Sequence, residues 1–399
     1  MSVQMARLGD IAEDLRSGFA CGVDDPDGVI QFRMNNVERD GTLNWTKTRR
    51  VPLSMVKSGL TLQPEDILLN VTNSPDLVGK TALFVGANEP ITFSNHFLRL
   101  RTRVKAADPA YVARWLRRQF ELGNFKAMCR SWVNQASITR DQVSNLEIPL
   151  PSLDEQKRIA RILDKADQLR QKRRQAIALL DRLTQSIFLE MFGDLTTSGE
   201  KWLRRLTLCE VAEIGSGITK GRKTNSTTTM KVPYLAVANV QDKALNLAMV
   251  KTIEATPAEV EKYKLAANDL LLTEGGDPDK LGRGTLWREE LPLAIHQNHI
   301  FRVRFTSPDI EALFANWLIG SDYGKKYFLK SAKQTTGIAS INKTQLSNFP
   351  VILPPIDLQR SFVKRAEAVS SQISAHTAYL DSFDSVFSAL KTRAFRGGI

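Results

Sequence analysis

The feature that most constrains this chain is a repeat, because one unit of about 200 residues occurs twice within its 399 residues. Residues 136–157 read ASITRDQVSNLEIPLPSLDEQK, and residues 339–360 read ASINKTQLSNFPVILPPIDLQR. The offset is 203 residues without a gap, and ten of the 22 positions are identical. Since this period is far longer than that of a solenoid repeat, the pattern indicates a duplicated domain.

The same offset connects shorter matches upstream of these two segments. Matched pairs include DILL at 66–69 with DLLL at 269–272, Gly79-Lys80 with Gly282-Arg283, and Asn95-His96 with Asn298-His299. Many shared positions are apolar, Gly or Pro, as expected for a core and its turns. The stretches between them share almost nothing, and we predict that they are loops that carry binding specificity.

Each unit begins with short segments of strand character, in which apolar and polar residues alternate between turn residues. In the first unit these segments are residues 29–34, 81–85 and 96–104, and in the second they are 232–240, 284–287 and 299–305. A short helical stretch follows at residues 111–121 and again at 310–319. Each unit is therefore predicted to be an α+β domain that is mostly β.

A long helix is predicted after each of these domains. Pro149 and Pro151 end the preceding strand, and either Asp154 or Ser152 is placed to cap the helix that follows. From there to Phe192 the sequence has no Pro or Gly, and its apolar residues follow the spacing of a coiled coil. The seam in the first helix consists of Ile159, Ile162, Ala166, Leu169, Arg173, Ala176, Leu180, Leu183 and Ile187. The seam in the second helix consists of Phe362, Ala366, Val369, Ile373, His376, Leu380, Phe383, Phe387, Leu390 and Ala394.

Helices of about 40 residues, nearly 60 Å at ~1.5 Å per residue, need a partner for their apolar stripe. The simplest partner for each helix is its own duplicate. We therefore expect the two long helices to pair as an antiparallel coiled coil with pseudo-two-fold symmetry. The alternative is that each helix packs only on its own domain.

The predicted organisation has four parts. They are a first recognition domain at residues 1–150, a first long helix at 151–194, a second recognition domain at 195–353, and a second long helix at 354–399.

Charge and composition favour a partner that is a polyanion. The net charge is +12, and nucleic acid is the commonest partner of such basic chains. The first long helix is itself basic, which favours a place near phosphates, although a solvated face is the usual explanation for a charge run. Cys21, Cys129 and Cys209 are far apart and lack CxxC spacing, so neither a disulfide framework nor a metal site is expected. Without a signal peptide or a membrane-length apolar run, we expect a cytoplasmic protein with no membrane partner.

This arrangement resembles the specificity subunits of type I restriction–modification systems. The resemblance rests on PLPSLDEQKRIARILDKAD at 149–167, LPPIDLQR at 353–360 and LKTRAFRGGI at 390–399, and it covers the whole chain. It implies two target-recognition domains that each read half of an interrupted site in double-stranded DNA. It also implies that the helices fix the gap and dock two methyltransferase subunits, and it leaves room for restriction subunits that use ATP.

No catalytic residue, cofactor or metal site is predicted. An amino-methyltransferase is expected to carry a [DN]PP[YFW] motif, but the only Pro-Pro pair is followed by Ile356, and no GxxxxGK[ST] loop occurs. We interpret Glu259, Glu261 and Lys262 as a charged helix surface rather than as a nuclease site. His96 and His299 occupy matched positions of the repeat, which favours a structural role common to both units.

The residues predicted to contact DNA come from polar loops that differ between the two copies. They are Asn70, Thr72, Asn73, Arg130, Trp132, Asn134 and Gln135 in the first unit, and Lys220, Arg222, Lys223, Asn225, Lys330, Lys333, Gln334 and Thr335 in the second. Two alternatives to a DNA-reading subunit remain. One is a coiled-coil adaptor that binds protein instead of DNA, and the other is a fused modification or nuclease enzyme.

Overall fold

The computed structural model describes residues 4–132, 135–197, 202, 204–222, 228–277, 281–335 and 338–395. The chain divides into two compact units. The first consists of Met1–Gln175 with Ala378–Ile399, and the second of Ala176–Thr377. Each unit combines one mostly-β domain with a stretch of both long helices, so the predicted α+β class is confirmed.

Within its described residues, the domain of the first unit has twelve short strands, four short helices and a 3-10 turn at Leu53–Met55. Its strands are β1 (Met5–Arg7), β2 (Ala12–Ser17), β3 (Val29–Phe32), β4 (Arg49–Val51), β5 (Ile67–Asn70), β6 (Thr72–Asn73), β7 (Thr81–Leu83), β8 (Ile91–Phe93), β9 (Phe97–Thr102), β10 (Arg130–Trp132), β11 (Gln135–Ser137) and β12 (Glu147–Pro149). Its helices are α1 (Leu8–Ile11), α2 (Pro109–Glu121), α3 (Asn124–Met128) and α4 (Arg140–Ser144). The first long helix, α5 (Leu153–Phe192), follows.

The domain of the second unit repeats this order with two further strands and one further helix among its described residues, and its 3-10 turn lies at Val237–Asn239. Its strands are β13 (Arg205–Thr207), β14 (Ala212–Ser216), β15 (Met230–Leu235), β16 (Val240–Gln241), β17 (Ala244–Leu245), β18 (Lys251–Ala255), β19 (Leu270–Thr273), β20 (Gly275–Gly276), β21 (Gly284–Leu286), β22 (Ile295–His296), β23 (Ile300–Phe305), β24 (Lys333–Thr335), β25 (Ile338–Ser340) and β26 (Pro350–Ile352). Its helices are α6 (Leu208–Val211), α7 (Pro257–Tyr263), α8 (Ala312–Gly320), α9 (Asp322–Ser331) and α10 (Lys343–Ser347). The second long helix, α11 (Ile356–Ala394), follows.

The sheets of the two domains have matching strand orders. A four-stranded sheet, β2-β9-β5-β7, corresponds to β14-β23-β19-β21, and a three-stranded sheet, β4-β3-β8, corresponds to β18-β15-β22. In each domain the first strand pairs with the last strand, β1 with β12 and β13 with β26. The duplication in the sequence is therefore a duplication of topology.

In each unit a glycine at the same position of the repeat lies in a turn that packs against an aromatic ring. Gly79 has a φ of +94°, and a Cβ placed on it would lie 2.2 Å from the ring of Phe125. Gly282 has a φ of +75°, and a Cβ there would lie 2.9 Å from the ring of Phe328. Any larger residue meets both backbone strain and a steric clash, which explains why both copies carry Gly at this position.

A buried glutamine joins each domain to the start of its long helix. Gln156 accepts a hydrogen bond from the backbone N–H of Asp108 (2.9 Å) and donates one to the carbonyl of Pro151 (2.9 Å). Gln359 makes the corresponding two bonds in the second unit. Both side chains are almost fully buried, so their polar atoms need these partners. At the helix start the hydroxyl of Ser152, and not the carboxylate of Asp154, accepts the bond from the first turn.

The two long helices contact each other in antiparallel directions. In the first unit the early part of α5 packs on the late part of α11, where Leu163 and Phe387 share a core. In the second unit the late part of α5 packs on the early part of α11, where the rings of Phe188 and Phe362 lie 5.3 Å apart. The predicted antiparallel pairing of the helices is therefore confirmed.

The predicted seam holds for α11 but only in part for α5. Every seam residue of α11 is buried or half-buried. On α5, however, Leu169 is 52% exposed and Leu183 is 44% exposed, whereas Leu163 and Phe188 are buried. The seam prediction is wrong at those two leucines because the recognition domains also pack on α5. The buried face is set by both neighbours and not by a heptad repeat alone.

The polar residue in the predicted seam, Arg173, is accommodated by an aromatic ring. Its guanidinium lies 4.0 Å from the ring centre of Tyr379 on α11, a cation–π contact that keeps the charge at the edge of the helix contact.

The two domains are attached to the helices by partly different chemistry. In the first unit Arg114 and Arg117 of α2 contact Asp167 of α5 at 2.7 and 3.0 Å. In the second unit Phe314 of α8 lies 4.8 Å from the ring of Phe192 on α5, within an aromatic cluster. Both attachments have an apolar core. The first adds a partly buried ion-pair network to it, whereas the described ion pairs between the second domain and α11, Arg360 with Glu311 and Arg288 with Glu367, are more exposed.

We predict that Asp167→Ala lowers the free energy of unfolding by about 2 kcal/mol. The substitution removes a nearly buried carboxylate that Arg114 and Arg117 share and leaves them only Asp164 and Glu121 as counter-charges. Burial alone raises the pKa of Asp167, but Arg117 and Arg114 outweigh it and hold the pKa below its usual value. The carboxylate therefore stabilises the fold above its unfolded pKa, and this contribution is lost as the pH falls through the folded value.

Urea unfolding at neutral and at acidic pH measures this difference. The matched control is Asp181→Ala, which removes an exposed carboxylate from the same helix and should change stability by no more than about 0.5 kcal/mol. Equal effects of the two substitutions would contradict the assigned role of Asp167.

Candidate nucleic-acid interface

A small sheet in the first unit gathers predicted DNA contacts from distant parts of the chain. We call it the first hairpin sheet, and it consists of β10, β11 and β6. The hairpin pairs Arg130 with Ser137 and Trp132 with Gln135, and β11 also pairs with Thr72 and Asn73 of β6. Five of the predicted contacts therefore lie within one three-stranded sheet, although about 60 residues separate its two parts. They are Thr72, Asn73, Arg130, Trp132 and Gln135.

The second unit contains the corresponding sheet, which we call the second hairpin sheet and which consists of β24, β25 and β20. Its hairpin pairs Lys333 with Ser340 and Thr335 with Ile338, and Gly275 of β20 lies opposite Ser340. The predicted contacts Lys333, Gln334 and Thr335 form β24.

The same backbone hydrogen bonds hold both hairpin sheets on their domains. The N–H of Val71 donates to the carbonyl of His96 (2.9 Å), and the N–H of Ile138 donates to the carbonyl of Val71 (2.9 Å). In the second unit Glu274 replaces Val71 and makes the same two bonds, one of them to the carbonyl of His299 (3.0 Å). The paired histidines are thus part of the support for each hairpin sheet, in line with their predicted structural role.

A capping glutamine ties the end of each hairpin to its beginning. Gln142 accepts a bond from the N–H of Thr139 (2.9 Å) in a capping box at the start of α4, just after the hairpin. Its amide also donates to the carbonyl of Met128 (3.0 Å), just before the hairpin. Gln345 has the same arrangement with Asn342 and Ser331 in the second unit. These bonds explain why Gln recurs at this position of the repeat.

Asn70 is among the predicted contacts, but the structure gives it another role. It is fully buried at the end of β5. Its amide donates to the carbonyl of His96 (3.1 Å), and its side-chain oxygen accepts a bond from Asn73 (2.7 Å). A side chain with these contacts holds the loop that leads into β6 and is not available to a base edge.

The predicted contacts near residue 220 lie apart from the second hairpin sheet in the sequence and have other partners. The guanidinium of Arg222 makes two bonds of 2.6 Å to Glu259 of α7. These bonds lower the pKa of Glu259 to about 2, which fits a structural ion pair better than a nuclease carboxylate. Lys220 is exposed in a turn, and Lys330 is exposed on α9. The predicted contacts Asn134, Lys223 and Asn225 lie outside the described residues.

A cavity beside the first hairpin sheet was not predicted from the sequence. It has a volume of about 590 Å³, and Asn73 of β6 lies in its wall. The charged residues of the wall are Arg33, Glu38, Arg39, Lys47 and Lys80. The sequence signal for this cavity was the KTRR run at residues 47–50, together with Arg33 and Arg39, which flank the MNNVE segment. All of these residues lie in a stretch where the two copies differ.

The basic face of the first long helix is only partly free. Arg170 contacts Asp384 at 2.5 Å, and Arg158 contacts Glu155 at 2.8 Å. The exposed cations of this helix that have no ion pair among the described residues are Lys157, Arg161, Lys165, Lys172 and Arg182. A set of exposed, unpaired cations is the surface expected of a chain that contacts phosphates.

The family described as Type I restriction modification DNA specificity domain matches residues 31–179 and 202–381. The chain therefore belongs to the specificity-subunit family of type I restriction–modification systems, and the resemblance seen in the sequence is confirmed. Specificity subunits are the non-catalytic DNA-recognition subunits of these systems, so the chain is assigned as a non-catalytic subunit.

Two relatives match almost the whole chain. The type I restriction enzyme StySPI specificity subunit of Salmonella potsdam is 24% identical over 394 residues, which cover 92% of this chain and 81% of the relative. The type I restriction enzyme EcoKI specificity subunit of Escherichia coli K12 is 23% identical over the same shares of both chains. The solved S subunit from M. genitalium shares the fold, with a TM-score of 0.60 at 16% identity over 99% of this chain and 96% of that chain.

Within the described part of the chain, no helix is both long and apolar enough to cross a membrane. The same residues contain no group of three or more His, Cys, Asp or Glu side chains that is arranged to hold a metal ion.

We predict that Gln142→Ala loosens the first hairpin sheet, because it removes both the capping bond and the bond to Met128. The expected cost is about 1 kcal/mol of local stability, so backbone amides of β11 should exchange with solvent about five times faster. Hydrogen–deuterium exchange measures this directly. Amides of β25 in the unchanged second unit serve as an internal control, and Gln168→Ala on α5 serves as an exposed control. An unchanged exchange rate in β11 would contradict the role assigned to Gln142.

Proposed function

We propose that this chain reads a two-part interrupted site in double-stranded DNA and docks two methyltransferase subunits that modify it. In a system that also cleaves DNA, restriction subunits are further partners of this chain. The proposal assigns one half of the site to each hairpin sheet and its neighbouring loops.

The observation that carries this proposal is that one framework holds two hairpins of different sequence. The repeated glutamines and the backbone bonds to the carbonyls of His96 and His299 hold both hairpin sheets in the same way. The hairpins themselves read RSWVNQ at residues 130–135 and KQTTGI at residues 333–338. Side chains that reach base edges determine sequence preference, so a fixed framework with exchanged contacts suits the reading of two different half-sites.

The long helices support the idea of a fixed gap between the half-sites. Helix α5 has 40 residues and α11 has 39, so each is nearly 60 Å long at ~1.5 Å per residue. Half-sites on the same face of DNA lie about 34–36 Å apart per helical turn. Rigid paired helices of this length are suited to set such a spacing.

Exposed apolar residues on the helices support the docking of protein subunits. Leu179 is 64% exposed and Leu189 is 48% exposed on α5, and Val386 is 61% exposed on α11. These exposed apolar side chains are available to a partner that covers the helices. Because specificity subunits belong to methyltransferase complexes, we assign these residues to methyltransferase contacts.

Substitutions in the hairpins test the reading of half-sites. Arg130→Ala or Gln135→Ala should relax base preference in one half of the site only, and Lys333→Ala or Gln334→Ala should relax it in the other half only. Removal of a side chain that bonds to a base is expected to cost about 1–3 kcal/mol of discrimination at that position. Each pair of variants is the control for the other.

The measurement is selection of bound duplexes from a randomised library by the full chain assembled with its methyltransferase subunits. A substitution that changed preference in both halves would contradict separate half-site readers. If the wild-type complex selected no DNA even at low salt, where phosphate contacts are strongest, the adaptor alternative would replace this proposal.

A further inference from the structure

The cavity beside the first hairpin sheet holds more positive than negative charge. Four cationic side chains line it, and the only carboxylate in its wall belongs to Glu38. That carboxylate already accepts a hydrogen bond of 2.8 Å from Asn44. The cavity is therefore short of anionic partners for its cations.

Lys80 is the one cation of the cavity that the fold itself uses. It is 5% exposed, and its ammonium group donates to the carbonyls of Met34 and Val37. Burial lowers its pKa most, and the nearby charges of Arg39 and Lys47 lower it further, although Glu38 acts in the opposite direction. The positive charges in this cavity are thus close enough to repel one another.

The other three cations have no partner of their own in the described structure. The side chains of Arg33, Arg39 and Lys47 form no hydrogen bond or ion pair there. Arg39 and Lys47 are exposed and Arg33 is half-buried. Asp76, which is paired with Lys126, and Glu38 are the carboxylates that act on this group of cations. An excess of clustered cations over carboxylates raises the free energy of the empty site, and an anion that enters it relieves that repulsion.

The second unit shows that this charge is not needed for the fold. Phe32 pairs with Phe93 in the first unit as Leu235 pairs with His296 in the second, which fixes the offset of 203 at this point. At that offset the position of Arg33 is occupied by Ala236, and the position of Arg39 by Asp242. A buried asparagine between these positions, Asn36 or Asn239, makes the same backbone bonds in both copies.

The place of Glu38 in the first unit is taken by Gln241 in the second, and that of Lys80 by Arg283. There the guanidinium of Arg283 donates to the side-chain oxygen of Gln241 at 3.3 Å. The second copy thus replaces an excess of charge with a hydrogen bond between its own side chains. The corresponding loop of the second unit, one residue shorter between Val240 and Leu245 than between Val37 and Leu43, folds without these arginines. The fold of the loop therefore does not depend on them, and they are available for a ligand.

We infer that Arg33, Arg39 and Lys47 bind the phosphate backbone of duplex DNA beside the first hairpin sheet, and that Ala236 and Asp242 of the second unit do not reproduce the two arginine contacts. Asn73, a strand residue of that hairpin sheet, forms part of the same cavity wall, so a duplex read by the sheet passes its backbone over these cations. Arginine forks match the geometry of phosphate oxygens. The two half-sites are consequently held with unequal electrostatic strength.

This inference rests on the proposed function, and the test separates the two. The full chain is assembled with its methyltransferase subunits, and its affinity for a duplex that carries its site is measured over a range of salt concentrations. The variants are wild type, the double variant Arg33→Ala/Arg39→Ala, and the control Lys57→Ala/Lys105→Ala. The control removes the same charge from exposed positions outside the cavity. Thermal unfolding checks that each variant is folded.

The double variant should bind more weakly to every sequence by the same factor. The slope of log affinity against log salt should become shallower by about 0.9 for each phosphate that is no longer neutralised, or about 2 if each arginine neutralises one phosphate. The control should change the slope far less. A double variant with the slope of the control would overturn the inference and leave the proposed function standing.

Three further outcomes would also overturn the inference. A change of base preference in the first half-site would make these arginines base readers instead of phosphate contacts. Binding of inorganic phosphate by the wild-type complex but not by the double variant, with an unchanged DNA slope, would assign the cavity to a free anion. Absence of any DNA binding by the wild-type complex would remove the proposed function and this inference together.

Discussion

Each long helix buries its apolar stripe against a stretch of the other, and both recognition domains are attached to this contact. A 40-residue helix cannot stay folded with an apolar stripe in water, so the chain needs both copies of the unit for either helix to be covered. The antiparallel direction places the start of α5 with the end of α11 in one unit, and the end of α5 with the start of α11 in the other. The position of each hairpin sheet is set by its own domain, which packs on these helices.

The two copies keep the same framework but differ in how they use charge. Both domains pack on the helices through apolar cores, but the first adds the ion pairs of Asp167 with its arginines, whereas the second has an aromatic cluster around Phe192. The first also carries the cation-lined cavity, where the second has Ala236 and Asp242. The partly buried ion pairs between domain and helix and the cation-lined cavity thus both belong to the first unit. Salt is expected to affect the first unit more than the second, since ion pairs and phosphate contacts are both screened.

Much of the fold could be predicted because its signals are local or repeated. The duplication, the strand character, the helix starts and the antiparallel pairing follow from spacing and from the 203-residue offset. The register of α5 could not be predicted at Leu169 and Leu183, because the domain that packs on the same helix shifts its buried face. A heptad pattern predicts the face that contacts a partner helix, but α5 contacts both α11 and a recognition domain.

The candidate site was only partly predictable for a related reason. Polar loops identified Thr72 and Arg130 separately, but only the folded chain places them in one sheet, because pairing between distant segments depends on tertiary structure. Asn70 resembles its neighbours in sequence, yet it is buried and supports the loop. The cations of the cavity lie in a divergent stretch with no motif, so their proximity emerges only from the fold.

Sequencing of methylated bases across the host genome, with and without this chain, tests the central claim most directly. A DNA-reading subunit with two half-site readers predicts that methylation at one interrupted two-part motif disappears when the chain is removed and returns when it is restored. Unchanged methylation in a host that expresses the methyltransferase subunits would contradict that claim. Loss of methylation at a continuous motif without a gap would contradict the role of the paired helices as the spacer between two readers.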